Sequence, residues 1–330
     1  MIPINPLAMM IGSMIFIFSQ VFLWLLIAGL LAFLIPRYRR SMLARPWLFG
    51  LTFVVLAAAS VPYVNIGVTQ WLDWRAHNPR LEREEMLGDL VLPAGTQVQL
   101  EDVKPFNDLS GTPRPYGMQS LKHADFERTP GNIMGIPVRW LELWQDHGSA
   151  TVEILAATDL QGWRCEPGKV EFRFPSGAHF KFSEWRLNRC TLAPGSKQGG
   201  IVWPGSLTVS SDSGDSWELR TDTPTRLLGL ELRWLSMLVN KPDGDVLKWS
   251  GELNSAADFG PVHYPVGAQV SSFQGYLLFS PPPEAQALDR LTGTPIESDH
   301  SVMQSADGKV LDVRPNGEVG VWFYDEIVVP

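Results

Sequence analysis

The first 72 residues of this chain contain no aspartate, glutamate or lysine, and only four arginines: Arg37, Arg39, Arg40 and Arg45. Residues 73–330 are the opposite, because they hold all 35 acidic side chains against 23 basic ones, a formal charge of −12. An apolar head joined to an acidic body excludes an ordinary cytosolic enzyme. The acidic body also argues against nucleic-acid binding.

Known catalytic and nucleotide-binding motifs are missing as well. The chain has no G-x-S-x-G elbow, no H-E-x-x-H pair, no P-loop and no G-x-G-x-x-G turn. None of its six histidines is paired at metal-ligand spacing. We therefore expect no catalytic residue, metal site or cofactor, although a serine triad assembled in space would leave no trace in the sequence.

Cysteine is scarce, with only Cys165 and Cys190 in the whole chain. Neither has the C-x-x-C spacing of a redox motif, and two cysteines alone do not make a zinc site. An even pair in an exported domain predicts a structural disulfide. The alternative is two separate buried thiols.

Two long apolar runs predict a transmembrane helical hairpin over residues 1–72. The first spans about 7–35 and the second about 47–68, and each reaches the 20 or so helical residues that cross a bilayer core. Ser13 and Gln20 are polar positions in the first span, open to interpretation as helix contacts or as tolerated residues. No ionisable residue lies mid-span, so we interpret the pair as an anchor rather than a transport pathway.

All four arginines of the head lie between these spans, and positive residues in short loops stay cytoplasmic. This predicts that residues 37–46 face the cytoplasm of a bacterial inner membrane, with the N-terminus and the body in the periplasm. In an alternative interpretation, the segment from Met42 is a cleavable signal peptide, and its small residues at 57–60 precede the cleavage site.

After a polar segment at 73–87 that is typical of a short helix or a linker, residues 88–330 predict a mainly β periplasmic domain. Short runs of alternating apolar and polar residues are separated by Pro/Gly turns, as in LVLPAGTQVQL and PVHYPVGAQV. The clearest turns are at 93–95, 175–177 and 265–267, with a degenerate copy at Pro204-Gly205. The pattern is typical of a hairpin-repeat, solenoid-like array or of a single sandwich.

Aromatic residues are the candidates for partner contact, because ten of the 13 tryptophans follow Asp73. In the C-terminal run, Trp322, Tyr324, Asp325 and Glu326 are candidate contacts, unless the run is simply an ordered last strand. Residues 104–135 are rich in Gly, Pro and Ser, which predicts a partner-binding loop or an irregular surface excursion.

The alternating runs with Pro-x-Gly turns resemble the β-repeat proteins of the YwqK type, distant relatives of MORN repeats. A membrane anchor with an exported β domain also resembles the immunity proteins of type VI secretion effectors. The resemblance implies a stoichiometric binder that neutralises a secreted antibacterial toxin. The alternative function is an accessory subunit of an envelope or secretion assembly that docks through its helical hairpin.

Overall fold

A computed structural model of the chain describes residues 6–212, 216–242 and 244–321. The chain divides into two compact units. One is formed by Met1–Pro79 with Leu100–Gly117 and holds the long helices; the other is formed by Arg80–Gln99 with Met118–Pro330 and holds nearly all the strands.

The helical unit contains α1 (Pro6–Leu34), α2 (Pro36–Leu43) and α3 (Pro46–His77). Residues 10–34 and the whole of α3 are long and apolar enough to cross a membrane. Prolines open α2 and α3, where the missing amide hydrogen leaves no bond unmade. The arginine-bearing connection is itself helical, since α2 occupies most of it.

The second long helix extends well beyond the predicted span end at residue 68. It runs through Pro62 and takes in residues 73–77, the first part of the segment predicted to be a short helix or a linker. Its last backbone bond runs from the Asn78 N–H to the Trp74 carbonyl at 2.9 Å, and Pro79, which follows, disfavours a helical conformation at Asn78. The helix therefore ends before this proline and not where the apolar stretch stops.

Short strands make up almost all of the second unit, with one helical turn, α4 (Asn316–Val319), near its end. The strands are β1 (Glu85–Leu87), β2 (Leu90–Leu92), β3 (Gln97–Leu100), β4 (Leu121–Asp125), β5 (Gly131–Ile133), β6 (Ile136–Trp144), β7 (Ser149–Ile154), β8 (Thr158–Leu160), β9 (Trp163–Cys165), β10 (Gly168–Arg173), β11 (Arg186–Leu192), β12 (Lys197–Gln198), β13 (Ile201–Val202), β14 (Leu207–Ser211), β15 (Trp217–Thr221), β16 (Thr225–Leu227), β17 (Leu230–Val239), β18 (Val246–Leu253), β19 (Ala257–Phe259), β20 (Val262–Tyr264), β21 (Gln269–Phe273), β22 (Tyr276–Ser280), β23 (Ala287–Asp289), β24 (Thr294–Ile296), β25 (His300–Gln304) and β26 (Val310–Pro315). The mainly β prediction is thus confirmed.

Fifteen of these strands form one continuous antiparallel ladder. Its order is β1, β2, β5, β6, β7, β10, β11, β14, β15, β17, β18, β21, β22, β25 and β26. Strands β19, β20, β23 and β24 form a smaller antiparallel sheet of their own. Residues 121–133, inside the stretch expected to be irregular, supply β4 and β5 of the large sheet.

The Pro-x-Gly turns share one geometry at 93–95, 175–177 and 265–267. In each, the residue after the glycine donates its N–H to the proline carbonyl, at 3.2, 3.0 and 3.3 Å. The glycines have φ between 78° and 89°, which a type II turn requires at its third position. Gly205 does not adopt a positive φ; the matching turn is at 193–196, which contains Gly195 (φ 81°).

A second recurrent turn was not predicted from the sequence. Met134, Gln161, Leu228 and Gln274 all have φ between 50° and 55°, and each precedes a glycine with positive φ. Each dipeptide joins two paired strands, as in β8–β9 and β21–β22. Two residues with positive φ make a type I′ hairpin, whose twist matches that of the strands.

The predicted disulfide is present and lies in the core. Cys165 and Cys190 are joined with their Cα atoms 5.8 Å apart, and both are almost fully buried. Trp163, Trp185 and Phe172 are also almost fully buried. Cys165 is in β9 and Cys190 is in β11, so the bond joins these two strands. The strands are also paired, with Cys165 opposite Leu192.

Candidate binding surface

One residue from each of nine neighbouring strands lies in a single row across the large sheet. Strand register places these residues directly opposite one another, and none of them is buried. The row contains His123, Glu142, Thr151, Glu171, Arg189, Ser210, Glu218, Leu238 and Lys248. With strands about 4.8 Å apart, it is roughly 38 Å long.

A shorter row runs beside it across six strands. It contains Thr191, Thr208, Arg220, Ser236, Ser250 and Ser271, and again none is buried. The residues between the two rows, such as Leu219 and Met237, are buried. Because side chains alternate across a strand, both rows lie on the side of the sheet away from the core. We call this side the polar face.

The polar face borders a groove of about 670 Å³ in the strand unit. Glu218, Ser236 and Lys248 line it, together with Val319 and Gly320 at the end of α4. Ser236 of β17 donates its hydroxyl to Glu218 Oε1 of the neighbouring strand β15 at 2.7 Å, which fixes that carboxylate. The groove therefore presents polar groups of both charge signs.

Trp234 lies two residues before Ser236 on β17 and is held by two neighbours, Glu252 and Arg220. Its indole N–H donates to Glu252 Oε2 at 3.1 Å, and Arg233 Nη1 lies 3.3 Å from the other oxygen of that carboxylate. Arg220 lies over the indole ring, 5.9 Å from its centroid. Tryptophan and arginine dominate interface hot spots, and a locked rotamer loses little entropy on binding.

A second aromatic cluster occupies the other end of the polar face, on β6. Lys169 lies 5.8 Å above the Trp140 ring, and Lys122 lies 5.3 Å above the Trp144 ring. His123 contacts the Trp140 ring at 6.0 Å between centroids. Each tryptophan is thus paired with a cation at the water-exposed surface, an arrangement that stabilises a contact by about 0.5–1 kcal/mol.

A histidine–carboxylate pair elsewhere in the strand unit has the geometry of an ion pair. His263 Nδ1 lies 2.6 Å from Asp258 Oδ1, and Arg290 Nη1 lies 2.5 Å from the other oxygen. The hydrogen bond from His263, with help from the Arg290 charge, lowers the pKa of Asp258. All three side chains are roughly half exposed. Within the described residues, no group of three or more His, Cys, Asp or Glu could hold a metal ion.

The other residues singled out from the sequence are distributed over the chain. Arg37, Arg39 and Arg40 are exposed on α2, and Arg45 is the residue before α3. The candidate contacts Trp322, Tyr324, Asp325 and Glu326 lie outside the described residues.

The polar face itself was missed, because a row across nine strands depends on register, which sequence alternation alone does not give. The available signal was outward-facing tryptophan in β6 and β17. Comparison with protein-family models, with curated proteins and with solved structures gives no match.

Proposed function

We propose that this protein is a membrane-anchored binding protein whose polar face engages a protein partner. This proposal rests mainly on the row from His123 to Lys248, which has fixed tryptophans near both ends. A surface about 38 Å long is of the size that protein partners cover, and it is already ordered before binding.

The partner we propose is a secreted antibacterial effector, neutralised in the periplasm by stoichiometric binding. Two apolar helices for the bilayer, a disulfide typical of oxidising compartments and an acidic body support this proposal. The negative charge accelerates encounter with a basic partner. The four arginines favour an inner-membrane topology in which residues 37–46 are cytoplasmic. Two of the four x-Gly hairpins join consecutive strands of the ladder, β5–β6 and β21–β22, which favours a hairpin-repeat array.

The test measures whether the full-length protein still protects cells when two charges on its polar face are reversed. Glu171→Lys with Glu218→Lys changes the net charge by +4 within the long row. Asp159→Lys with Glu284→Lys makes the same charge change at exposed positions outside both rows. We expect that deleting the protein sensitises cells to an effector delivered to the periplasm, that the control restores protection, and that the polar-face variant does not.

Two results would count against the proposal. One is a deletion strain that resists every periplasmic effector encoded nearby. The other is equal protection by both double variants at equal membrane levels, which would move the binding surface elsewhere on the chain.

A second function, an accessory subunit of an envelope assembly, is favoured by one observation on the helices. Gly12, Gly50 and Gly67 face open space, with no atom within 4 Å of an added Cβ. Small residues at such positions let another helix approach closely. Co-purification with membrane subunits through residues 7–68 alone, without the strand unit, would support this function instead.

A further inference from the structure

Residues 106–114 of the helical unit form a small, tightly bonded hairpin. Arg114 donates its N–H to the Phe106 carbonyl at 3.0 Å, and Asn107 pairs with Pro113. At the tip, Asp108 and Thr112 are joined by a backbone bond of 2.9 Å. These bonds hold the segment in a defined turn.

The carboxylate of Asp108 fixes the tip. Its Oδ1 accepts hydrogen bonds from the backbone N–H groups of Ser110 and Thr112, each at 2.9 Å, and from the Ser110 hydroxyl at 2.6 Å. These bonds lower the pKa of Asp108, so the carboxylate stays ionised at neutral pH. Leu109 lies between these bonded residues, at the tip of the hairpin.

Leu109 is fully exposed, and it is flanked by other exposed apolar side chains. Phe106 is 43% exposed and Tyr116 is 51% exposed. An exposed leucine side chain is unfavourable in water, because the transfer of apolar surface out of water lowers the free energy. Such a surface indicates an apolar environment around the tip.

The base of this hairpin lies against the last turns of α3. Phe106, Val103 and Lys104 line a cavity of about 470 Å³ with Thr69 and Leu72 of the helix. About 20 helical residues cross the hydrocarbon core. Counted from Pro46, the turns after residue 68 therefore lie in the headgroup layer. Trp71 and Trp74 are more than half exposed there, as interfacial tryptophans are.

We propose that the 106–116 segment is a second, peripheral membrane contact, in which Leu109, Phe106 and Tyr116 insert into the phospholipid headgroup layer beside the end of α3. The occupant is the bilayer itself. Lys104 and Arg114 lie at the base of the hairpin and suit anionic headgroups. This inference rests on the proposed membrane anchoring.

Depth-dependent fluorescence quenching in vesicles tests the insertion. The full chain carries a polarity-sensitive NBD label at Leu109→Cys; both native cysteines are in the disulfide, so the new thiol is the only reactive one. It is reconstituted in phosphatidylcholine–phosphatidylglycerol vesicles with nitroxide lipids labelled at acyl carbon 5 or 12. We expect blue-shifted emission, quenched more strongly by the carbon-5 nitroxide.

Two matched positions make the result decisive. Phe18→Cys lies near the middle of α1 and reports on spanning, whereas Leu291→Cys is a highly exposed site of the strand unit. Strong quenching at position 18 with no more quenching at 109 than at 291 overturns this inference alone. Failure of quenching at position 18 overturns the membrane anchoring itself. A blue shift at 109 that requires an added protein rather than lipid also contradicts bilayer insertion.

Discussion

The backbone N–H of Tyr63 donates a 2.9 Å hydrogen bond to the hydroxyl of Ser19, joining α3 to α1. Tyr63 directly follows Pro62, whose ring removes one helix bond and crowds the carbonyl four residues back. Ser19 is almost fully buried, and the Phe16 ring packs on Tyr63 at 5.0 Å between centroids. A polar contact therefore fixes the register of an otherwise apolar helix pair.

We expect Ser19→Ala to weaken the α1–α3 pair by about 0.6 kcal/mol, the average for an interhelical hydrogen bond in a membrane protein. The measurement is SDS-induced unfolding of the full chain in micelles. Thr52→Ala is the control, because the Thr52 hydroxyl bonds only within its own helix, to the Leu48 carbonyl. Equal loss in both variants would show that the Ser19 bond has no special role.

Gly260 lies where two backbones meet, and we expect Gly260→Ala to destabilise the strand unit by more than about 3 kcal/mol. An added Cβ would lie 1.9 Å from the Gly308 carbonyl oxygen, in addition to the cost of φ +56°. In the control Gly275→Ala the cost is about 1 kcal/mol, because φ is +84° but no atom lies within 4 Å. Urea unfolding measures both. A Gly260 variant as stable as the control would disprove the close approach.

A buried hydrogen-bond network centred on Gln304 predicts a pH dependence. Tyr264 donates its hydroxyl to Gln304 Oε1 at 2.6 Å, and Gln304 Nε2 donates to the carbonyls of Phe259 and Gly308. Burial raises the pKa of Tyr264 above its ordinary value of 10.0. The unfolded chain then releases a proton near pH 10 while the folded chain keeps it, so stability falls as the pH rises beyond that point.

Tyr264→Phe should therefore lower stability at neutral pH by about 1–3 kcal/mol, because Gln304 Oε1 loses its donor. The same variant should flatten the loss of stability above pH 10. Urea unfolding between pH 7 and 11 checks both effects. Tyr276→Phe, at a half-exposed ring, is expected to change neither; an unchanged slope in the Tyr264 variant would contradict the burial argument.

Removing the disulfide with Cys165→Ala and Cys190→Ala should cost about 3 kcal/mol. The bond closes a loop across a sequence separation of 25 residues, which restricts the unfolded chain. We expect a lower urea midpoint for the variant, and a matching decrease for the native chain under reductant. Insensitivity to both treatments would mean that the bond contributes nothing to folding.

Composition and alternation were sufficient for the coarse architecture. The acid-free head predicted two long apolar helices, the period-2 runs predicted strands, and the lone cysteine pair predicted the disulfide. The helices and strands follow from local sequence patterns. With only two cysteines in the chain, each has only one possible disulfide partner.

Features that depend on distant parts of the chain were missed. Ser13 and Gln20 were the candidate helix contacts in the first span, but Ser19, which makes an interhelical bond to Tyr63, was not predicted. Gln161 and Gln274 adopt positive φ although their side chains do not favour it. The glycine that follows and the paired strands impose that conformation, so the local turn signals did not include these positions.

Each strand contributes one side chain to the row from His123 to Lys248. Substitutions and insertions therefore have different effects on this surface. Exchanging Glu218 for another residue alters one point of the surface and leaves eight unchanged. Inserting one residue into β15 would instead turn Leu219 outward and Glu218 into the core. Point substitutions can therefore change this surface one strand at a time during evolution. Length changes should be confined to the turns.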